Sequence, residues 1–382
     1  MMVPSASAGF GHIGRTAALG RALLKLDPTL NIEYVLNADR LRPQCEEAAR
    51  ATGFPTRVMG HRTPENRREV VSAALGDADV IIDDTQGELI HMKALLPKAR
   101  WVHIPMFPLG DELFMNWPAL TLIDGLLWAY PPGLGFPREL EFLGKRARQV
   151  GPFMGVDGVP DKVRAREELD LGSEEEIIVY SPRGMTFGWE FGVQVLSGVY
   201  GAVKARRRKG TDTRLVLAAT NPEELRFAGL PKKLPAWVTV LGTVPPPTML
   251  ALIGAADLAV TEGSNMTQEA AALGTPVVMV PGTIYETWLM GTRLHELGGA
   301  RVLWIERVTP ESLAAEFAAV LDDQDVRERQ VEAARAFVGK SGLEEAARAV
   351  LEIGAGPRRE VPDVAPQEIA STEDAPEKTA PK

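Results

Sequence analysis

Short apolar runs alternate with longer amphipathic stretches along the first half of the chain. The apolar runs predict strands, and these are "MMVPSAS", "NIEYVLN", "DVIIDD" and "RWVHIP". The stretches between them space their apolar residues as helices do and predict helices over residues 14–26, 41–53 and 65–76. Strands that alternate with helices are typical of a parallel sheet with helices on both faces.

The same alternation restarts after residues 146–158, a stretch that we interpret as a linker. The strands predicted beyond it are "IIVYSP", "RLVLAA", "WVTVLG", "DLAVT", "PVVMVPG" and "ARVLW". The helices predicted beyond it include residues 264–273, 311–321, 324–338 and 342–353. Thr309 followed by Pro310 is a favourable helix start, because Thr caps the free amides and Pro fits the first turn.

These elements predict an α/β protein of two parallel-sheet domains, residues 1–148 and 149–354. Two open sheets that face each other leave a cleft between the carboxyl ends of their strands, where ligands of such folds bind. The tail, residues 355–382, holds five prolines, many charges and almost no large apolar side chains. Such a segment cannot bury a core, and we expect it to be disordered.

Residues 104–137 interrupt the alternation with a sequence rich in aromatic residues, leucine and proline. Proline at this density is incompatible with a long helix. Two interpretations remain open for this segment. It is either an elaborated edge of the first domain with buried apolar groups, or an exposed surface that receives an apolar substrate or touches a membrane.

The length of 382 residues suits two domains, and a composition of 45% hydrophobic and 24% charged residues is that of a soluble globular protein. The net charge of −9 argues against non-specific nucleic-acid binding. The single cysteine, Cys45, excludes an internal disulfide and a zinc site built on several thiolates. Neither a signal peptide nor an apolar run of roughly 18 residues is recognisable. We therefore expect a cytoplasmic protein.

The first candidate site is the stretch "SASAGFGHIGR", residues 5–15, in which Gly9, Gly11 and Gly14 have the spacing of a dinucleotide-binding turn. A redox cofactor would also need an acidic residue at the end of the second strand to hold its ribose. Asp39 is the only nearby candidate, and it lies beyond that strand. The redox interpretation also gives no role to His12 or to a second glycine-rich turn.

That second turn lies within "DLAVTEGSNMTQEAAALGTPVVMVP", residues 257–281. Gly263 permits a tight turn, after which Ser264 and Asn265 begin a helix. The free amides and positive dipole of a helix start suit phosphate oxygens. Glu269, about one turn further on, is placed to accept hydrogen bonds from two ribose hydroxyls. Plain helix capping for the first two polar residues and a solvated carboxylate for Glu269 are the alternatives.

The stretch "GSNMTQEAAALGTPVVMVP" resembles the nucleotide-sugar-binding motif of GT-B glycosyltransferases. The similarity is to the group that includes the lipid II-forming N-acetylglucosaminyltransferase and the UDP-glucuronosyl/glucosyltransferase-like enzymes. "GFGHIGR" is similar to their N-terminal glycine-rich loop, and "QVGPF" to their interdomain linker. The resemblance covers roughly residues 1–350. It implies two Rossmann-like domains that face each other across a cleft, with the donor held by the second domain.

The resemblance also implies roles for individual residues. Transfer proceeds with inversion and without a metal, and His12 removes the proton of the acceptor hydroxyl. Asp111 is the first candidate for the carboxylate that orients His12, and Asp83 and Asp84 are alternatives. Gly11, in the same loop as His12, is assigned to donor binding.

Two departures from the family pattern bear on the donor. Thr261 stands where many members have His or Arg against the diphosphate, and Arg183, followed by Gly184 in "SPRGMTFG", is the candidate for the missing cation. Glu286 is followed by Thr287 where many members have an acid–glutamine pair that reads the sugar hydroxyls. The carboxylate is retained and the amide is lost.

The function predicted from the sequence is transfer of a hexosyl or N-acetylhexosaminyl group from a UDP-sugar to an acceptor hydroxyl, without a further cofactor. The acceptor is a small molecule or a lipid-linked one, and residues 104–137 are a candidate for peripheral contact with the inner membrane face. Two alternatives stay open. One is a UDP-amino-sugar epimerase of the same fold, and the other is a non-catalytic partner subunit.

Overall fold

The structure is a computed structural model. It describes residues 1–5, 11–85, 87–96, 98–106, 120–181, 189–220, 222–242, 244–282 and 284–357. None of the helices in these ranges has both the length and the apolar composition needed to cross a membrane. The predicted tail lies almost entirely outside the described residues.

The first sheet contains β1 (Met2–Pro4), β2 (Tyr34–Asn37), β3 (Thr56–Met59), β4 (Val80–Asp84), β5 (Arg100–Ile104), β6 (Gly125–Trp128) and β7 (Ala147–Gln149). The α-helices that accompany it are α1 (Gly11–Leu26), α2 (Pro43–Arg50), α3 (Arg67–Leu75) and α4 (Gly87–Ile90). Short 3₁₀ segments are Ala38–Arg40, His91–Leu95, Pro132–Leu134 and Arg138–Arg146. The strands pair in parallel in the order β3-β2-β1-β4-β5-β6-β7.

The sequence prediction missed three strands of this sheet, and each lacks the local signal of a buried strand. β3, with the sequence "TRVM", is only partly buried. β7, with the sequence "ARQ", is a polar strand at the edge of the sheet and falls in the predicted linker. β6 is fully buried, but it is short and lies inside the proline-rich segment.

Most of the described part of residues 104–137 belongs to the core of the first domain, although Met106 is exposed. Trp128 is fully buried, and Leu120, Ile123 and Leu126 pack in the same apolar cluster. These side chains therefore fill the domain edge and do not form an exposed apolar surface. The predicted membrane contact now depends on residues 107–119, which lie outside the described residues.

The second sheet contains β8 (Glu176–Tyr180), β9 (Thr213–Leu217), β10 (Val238–Val240), β11 (Leu258–Thr261), β12 (Val277–Met279) and β13 (Arg301–Val302). The following α-helices are α5 (Lys162–Glu168), α6 (Trp189–Arg208), α7 (Pro222–Phe227), α8 (Pro246–Ala255), α9 (Asn265–Leu273), α10 (Tyr285–Glu296), α11 (Pro310–Leu321), α12 (Gln324–Val338) and α13 (Leu343–Ala355). A 3₁₀ segment is Ile305–Arg307. The strands pair in parallel in the order β10-β9-β8-β11-β12-β13.

Both sheets reverse their strand order in the same way. The chain moves outward from β1 to β3 and then returns to place β4 on the other side of β1, and the second sheet repeats this with β8 and β11. Loops that leave the two strands at such a reversal diverge and open a crevice at the carboxyl ends of the strands. The two glycine-rich turns follow β1 and β11, so each lies at the reversal point of its own sheet.

The last helix, α13, returns to the first domain, although the sequence prediction assigned it to the second. It packs on α1, and Ala346, Ala349 and Val350 join the apolar cluster around Met2. The segment that returns to the first domain lies beside the segment that leaves it, and the Gly342 amide of the first donates to the Pro152 carbonyl of the second at 2.7 Å. The two domains are thus joined by a pair of adjacent segments.

Candidate active site

His12 lies in the first turn of α1 and forms a hydrogen bond with the end of β4. Its Nδ1 is 3.2 Å from Oδ1 of Asp84 and 3.5 Å from the Thr85 hydroxyl. The proximity follows from the strand order, since Pro4 of β1 is in register with Asp84 of β4. A carboxylate at Nδ1 favours the tautomer that carries its proton there and leaves Nε2 as the acceptor. Nε2 has no partner among the described residues, and 24% of the side chain is exposed.

Asp84 is fully buried, and Arg15 compensates its charge. The Arg15 Nε donates to Oδ2 at 2.7 Å, and its Nη2 donates to Oδ1, the oxygen that also bonds His12. Burial by itself raises the pKa of the Asp84 carboxyl, but the guanidinium of Arg15 and the hydrogen bonds from Arg15 and His12 outweigh that effect and hold the pKa well below its usual range. Asp84 is therefore a permanent carboxylate.

The other carboxylates considered as partners of His12 have different places. Asp83 points to the opposite face of the sheet, where it accepts from the indole of Trp101 and lies 2.7 Å from Nδ1 of His103. Both rings are fully buried, so this network belongs to the core. Asp111, the first candidate, lies outside the described residues. Of the three predicted carboxylates, Asp84 is the one found in contact with His12.

The second glycine-rich turn begins at Gly263, whose φ of 92° disfavours any residue with a side chain. A Cβ at this position would also collide with the side chain of Met279 and meet the Thr287 carbonyl at 3.1 Å. Both the backbone angle and the surrounding atoms therefore require glycine at position 263. The turn leads into α9, whose first residues lie at the carboxyl edge of the sheet.

The start of α9 lacks the side-chain cap that was the alternative explanation of its polar residues. Ser264 occupies the cap position but makes no capping hydrogen bond. The amides of Asn265 and Met266 have no partner among the described residues. Free amides at a helix start attract anions. Gly274 ends the helix in a left-handed conformation.

Asn265 connects the two glycine-rich turns across the domain boundary. Its side-chain amide donates to the carbonyl of Gly11 at 3.2 Å. A Cβ on Gly11 would lie 3.0 Å from that amide nitrogen, so the glycine permits the close approach. The first turn of α1, which carries His12, and the uncapped start of α9 therefore face each other at contact distance.

Glu269 lies on the second turn of α9 and is only partly exposed. Its carboxylate has no hydrogen-bond partner among the described residues. Burial raises the pKa of this carboxyl to about 7. A desolvated carboxyl with unused acceptor oxygens is a recognition group that gains from a ligand with hydroxyl donors.

The two threonines that depart from the resembled pattern, Thr261 and Thr287, are buried. The Thr261 hydroxyl accepts from Thr267 at 2.7 Å, which secures the turn but keeps the group away from the surface of the cleft. Thr287 is fully buried below Gly263, and its hydroxyl donates to the Ile284 carbonyl. Both positions contribute to packing, and neither presents a side chain to a ligand.

Glu286, in the first turn of α10, lies within electrostatic range of Arg15 in the other domain. Arg183 and Gly184 lie outside the described residues.

A feature that the sequence analysis missed is the fully buried Tyr180 at the end of β8, whose Oη has no partner among the described residues. Burial raises the pKa of the Tyr180 hydroxyl well above its usual value, and the nearby carboxylates of Glu262 and Glu224 raise it further.

The structure also bears on a redox cofactor and on a metal site. Asp39, the candidate ribose ligand of a redox cofactor, is bonded by Arg62 at 2.8 Å and by His61 at 3.1 Å. It is thus already engaged in surface ion pairs. Within the described ranges no group of three or more His, Cys, Asp or Glu side chains is arranged to hold a metal ion.

No protein-family model matches the chain. Among curated proteins, it is similar to the NDP-glycosyltransferase YjiC of Bacillus subtilis (strain 168), with 36% identity over 206 residues. That match covers 53% of this chain and 47% of YjiC. The chain thus spans about half the length of the curated relative that it matches.

Solved structures show the fold over nearly the whole chain. The calicheamicin glycosyltransferase CalG4 aligns with a TM-score of 0.59 and 18% identity, covering 92% of this chain and 97% of CalG4. A protein of Listeria monocytogenes assigned as UDP-N-acetylglucosamine 2-epimerase aligns with a TM-score of 0.64 and 16% identity, covering 92% and 95%. The chain therefore has the GT-B architecture, two parallel-sheet α/β domains with a cleft between them.

Proposed function

We propose that this protein transfers a glycosyl group from a nucleotide sugar to an acceptor hydroxyl, with His12 as the general base. The observation that carries the proposal is the contact between the two glycine-rich turns. It brings a histidine with one nitrogen oriented by Asp84 next to a helix start with free amides. The curated similarity to an NDP-glycosyltransferase supports the same activity.

The second domain supplies the groups that hold the donor in this proposal. The diphosphate accepts hydrogen bonds from the free amides at the start of α9, where the helix dipole is favourable. The ribose hydroxyls donate to Glu269. Arg183 adds a cation, and Glu286 reads hydroxyls of the transferred sugar.

The reaction follows as a single displacement. The acceptor oxygen loses its proton to Nε2 of His12 and forms a bond to the anomeric carbon. The bond from that carbon to the phosphate oxygen breaks on the opposite side, so the anomeric configuration inverts. The free amides of α9 stabilise the charge that develops on the leaving nucleoside diphosphate. Asp84 fixes the orientation of the imidazole.

The donor that we propose is a UDP-hexose or UDP-N-acetylhexosamine, and the acceptor is a small molecule or a lipid-linked hydroxyl. We place the reaction in the cytoplasm. A lipid-linked acceptor would bring the protein to the inner membrane face through residues 107–119, where the predicted apolar surface would have to lie.

Calorimetric titration with UDP, a panel of UDP-sugars and NADH tests the donor. We expect binding of UDP and of one or more UDP-sugars, loss of most of that affinity in Glu269→Ala, and no binding of NADH. Glu345→Ala, an exposed carboxylate on α13, is the matched control. Absence of any nucleotide binding would leave the non-catalytic partner subunit as the better explanation.

Turnover tests the base. With the donor so identified, release of the nucleoside diphosphate by His12→Ala should fall by about 10²–10⁴-fold while donor affinity stays near that of the parent. Unchanged turnover would remove His12 from the mechanism. Incubation with UDP-N-acetylglucosamine alone separates the classes, because a new epimer formed without acceptor would identify the epimerase.

A further inference from the structure

Arg15 lies one helical turn after His12 on α1 and contacts the same carboxylate. Arg15 is 8% exposed and Asp84 is fully buried. The guanidinium engages both oxygens of Asp84, and one of these, Oδ1, is shared with Nδ1 of His12. The three side chains form one continuous hydrogen-bonded group, with the carboxylate in the middle.

The charge balance of this group differs from that of an isolated histidine–carboxylate pair. A buried carboxylate with histidine as its single partner strongly favours the imidazolium, because the proton then neutralises the only buried charge. With Arg15 in place, the carboxylate is already neutralised. The group has a net charge of zero when His12 is neutral and gains an uncompensated positive charge when His12 is protonated.

We infer that Arg15 is a positioning residue that neutralises Asp84, so that a proton on His12 adds an uncompensated charge to the group, while the shared oxygen fixes the ring. The contacts of Arg15 are the same whether or not the protein is an enzyme, but the role of Arg15 in catalysis rests on the proposed function. Arg15 touches no reacting atom in this scheme. It acts through Asp84 on the charge state of the base.

Other titratable groups face this cluster from the elements packed around it. Tyr34 on β2 lies near Asp84, and burial raises the pKa of its hydroxyl above the usual value, so it stays uncharged. Tyr130, after β6, and Glu286 on α10 are both within electrostatic range of Arg15. Glu286 is the single additional carboxylate among these described groups. It strengthens the cationic state of Arg15 and does not replace Asp84.

The titration of the His12 ring tests the inference without any ligand. The chain has five histidines. Their ring-carbon signals are separable by NMR in protein labelled with ¹³C-histidine, and His12→Gln assigns the relevant one. In Arg15→Gln, which retains a donor but loses the charge, the titration midpoint of the His12 signal should move to higher pH by at least about one unit. Arg15→Lys retains the charge and should keep the midpoint near that of the parent.

Two further variants distinguish an effect of charge on the His12 midpoint from a structural effect. In Asp84→Asn the cation remains without its carboxylate, so the His12 midpoint should move to lower pH, opposite to the shift in Arg15→Gln. Arg21→Gln, an exposed arginine on the same helix, should leave the midpoint unchanged. The opposite shifts keep the inference testable even when one of the variants fails to fold.

The outcomes are separable from those of the proposed function. An unchanged midpoint in folded Arg15→Gln, or equal shifts in Arg15→Gln and Arg15→Lys, would overturn the inference even for an active transferase. Opposite shifts in a protein that binds no nucleotide would establish the charge balance and refute the transferase. In an active enzyme, the acidic limb of the turnover–pH profile should shift to higher pH in Arg15→Gln and recover at alkaline pH.

Discussion

The residues of the candidate site combine desolvation with unused hydrogen-bonding capacity. Glu269 is a partly buried carboxyl without a partner among the described residues, and Asn265 and Met266 leave their amides free. Buried donors and acceptors without partners cost free energy, and a ligand that satisfies them recovers it. Gly263 and Gly11 serve the same site by permitting close approaches of the backbone.

The raised pKa of Glu269 predicts how stability depends on pH. Burial moves the pKa of this carboxyl to about 7 from 4.5, so the folded protein holds a proton that the unfolded chain has lost. The contribution of Glu269 to the free energy of unfolding is therefore complete below pH 4.5 and declines as the pH rises to about 7. Glu269→Gln should remove a decline of about 1–3 kcal/mol between pH 5 and pH 8.

Urea denaturation of the two proteins at these two pH values measures the difference. Glu345→Gln changes an exposed carboxyl on α13 and should behave like the parent. An equal pH dependence in the parent and Glu269→Gln would show that Glu269 is ordinarily hydrated in the folded protein.

At the scale of elements, the described helix starts include capped and uncapped ones. α11 begins with a full capping box, in which the Thr309 hydroxyl accepts from the Ser312 amide at 3.1 Å and Ser312 Oγ accepts from the Thr309 amide at 2.9 Å. α9, at the cleft, has no side-chain cap. The uncapped start leaves the amides of α9 available to a ligand in the cleft.

The cap of α11 gives an element-scale prediction. Thr309→Ala should lower the free energy of unfolding by about 1 kcal/mol, because it leaves an amide of the first turn without its partner. Thermal or urea denaturation measures the loss, and Thr309→Ser, which retains the hydroxyl, is the control. UDP affinity should be equal in both variants. A fall in UDP affinity in Thr309→Ala would show that α11 is coupled to the cleft.

The sequence predicted the elements whose signals are local and missed those whose signals are not. Helix α12 was predicted over residues 324–338 and is found at Gln324–Val338. β3 and β7 were missed because short, partly exposed strands have little apolar periodicity. β6 was missed because its neighbouring prolines indicated a loop, whereas pairing with β5 and β7 makes it a strand.

At the scale of the whole molecule, the return of α13 makes the end of the described chain part of the first domain. Val350 and its neighbours complete the apolar cluster that contains Met2 and Leu127. Ile353 fills the space beside Gly125 on β6. The first domain therefore depends on residues that follow the entire second domain in sequence.

This arrangement predicts a domain-specific effect of a distant substitution. Val350→Asp, which buries an unpaired charge, should destabilise the first domain by about 3 kcal/mol or more. Hydrogen exchange should accelerate in β1, β4 and β5 and change little in β8 to β12. Glu345→Asp on the exposed face of α13 is the control. Faster exchange confined to the second sheet would contradict the assignment of α13 to the first domain.

The sequence by itself determined the class of fold, the two glycine-rich turns and several helix starts, because these depend on local periodicity and turn chemistry. It also selected His12, Asn265 and Glu269 as candidates. The tertiary structure decided which of them meet. Asp84 is 72 residues from His12 and becomes its partner because β4 pairs with β1. The burial of Thr261 and the ion pair between Arg15 and Asp84 depend in the same way on strand order and packing, which bring together side chains that no local pattern connects.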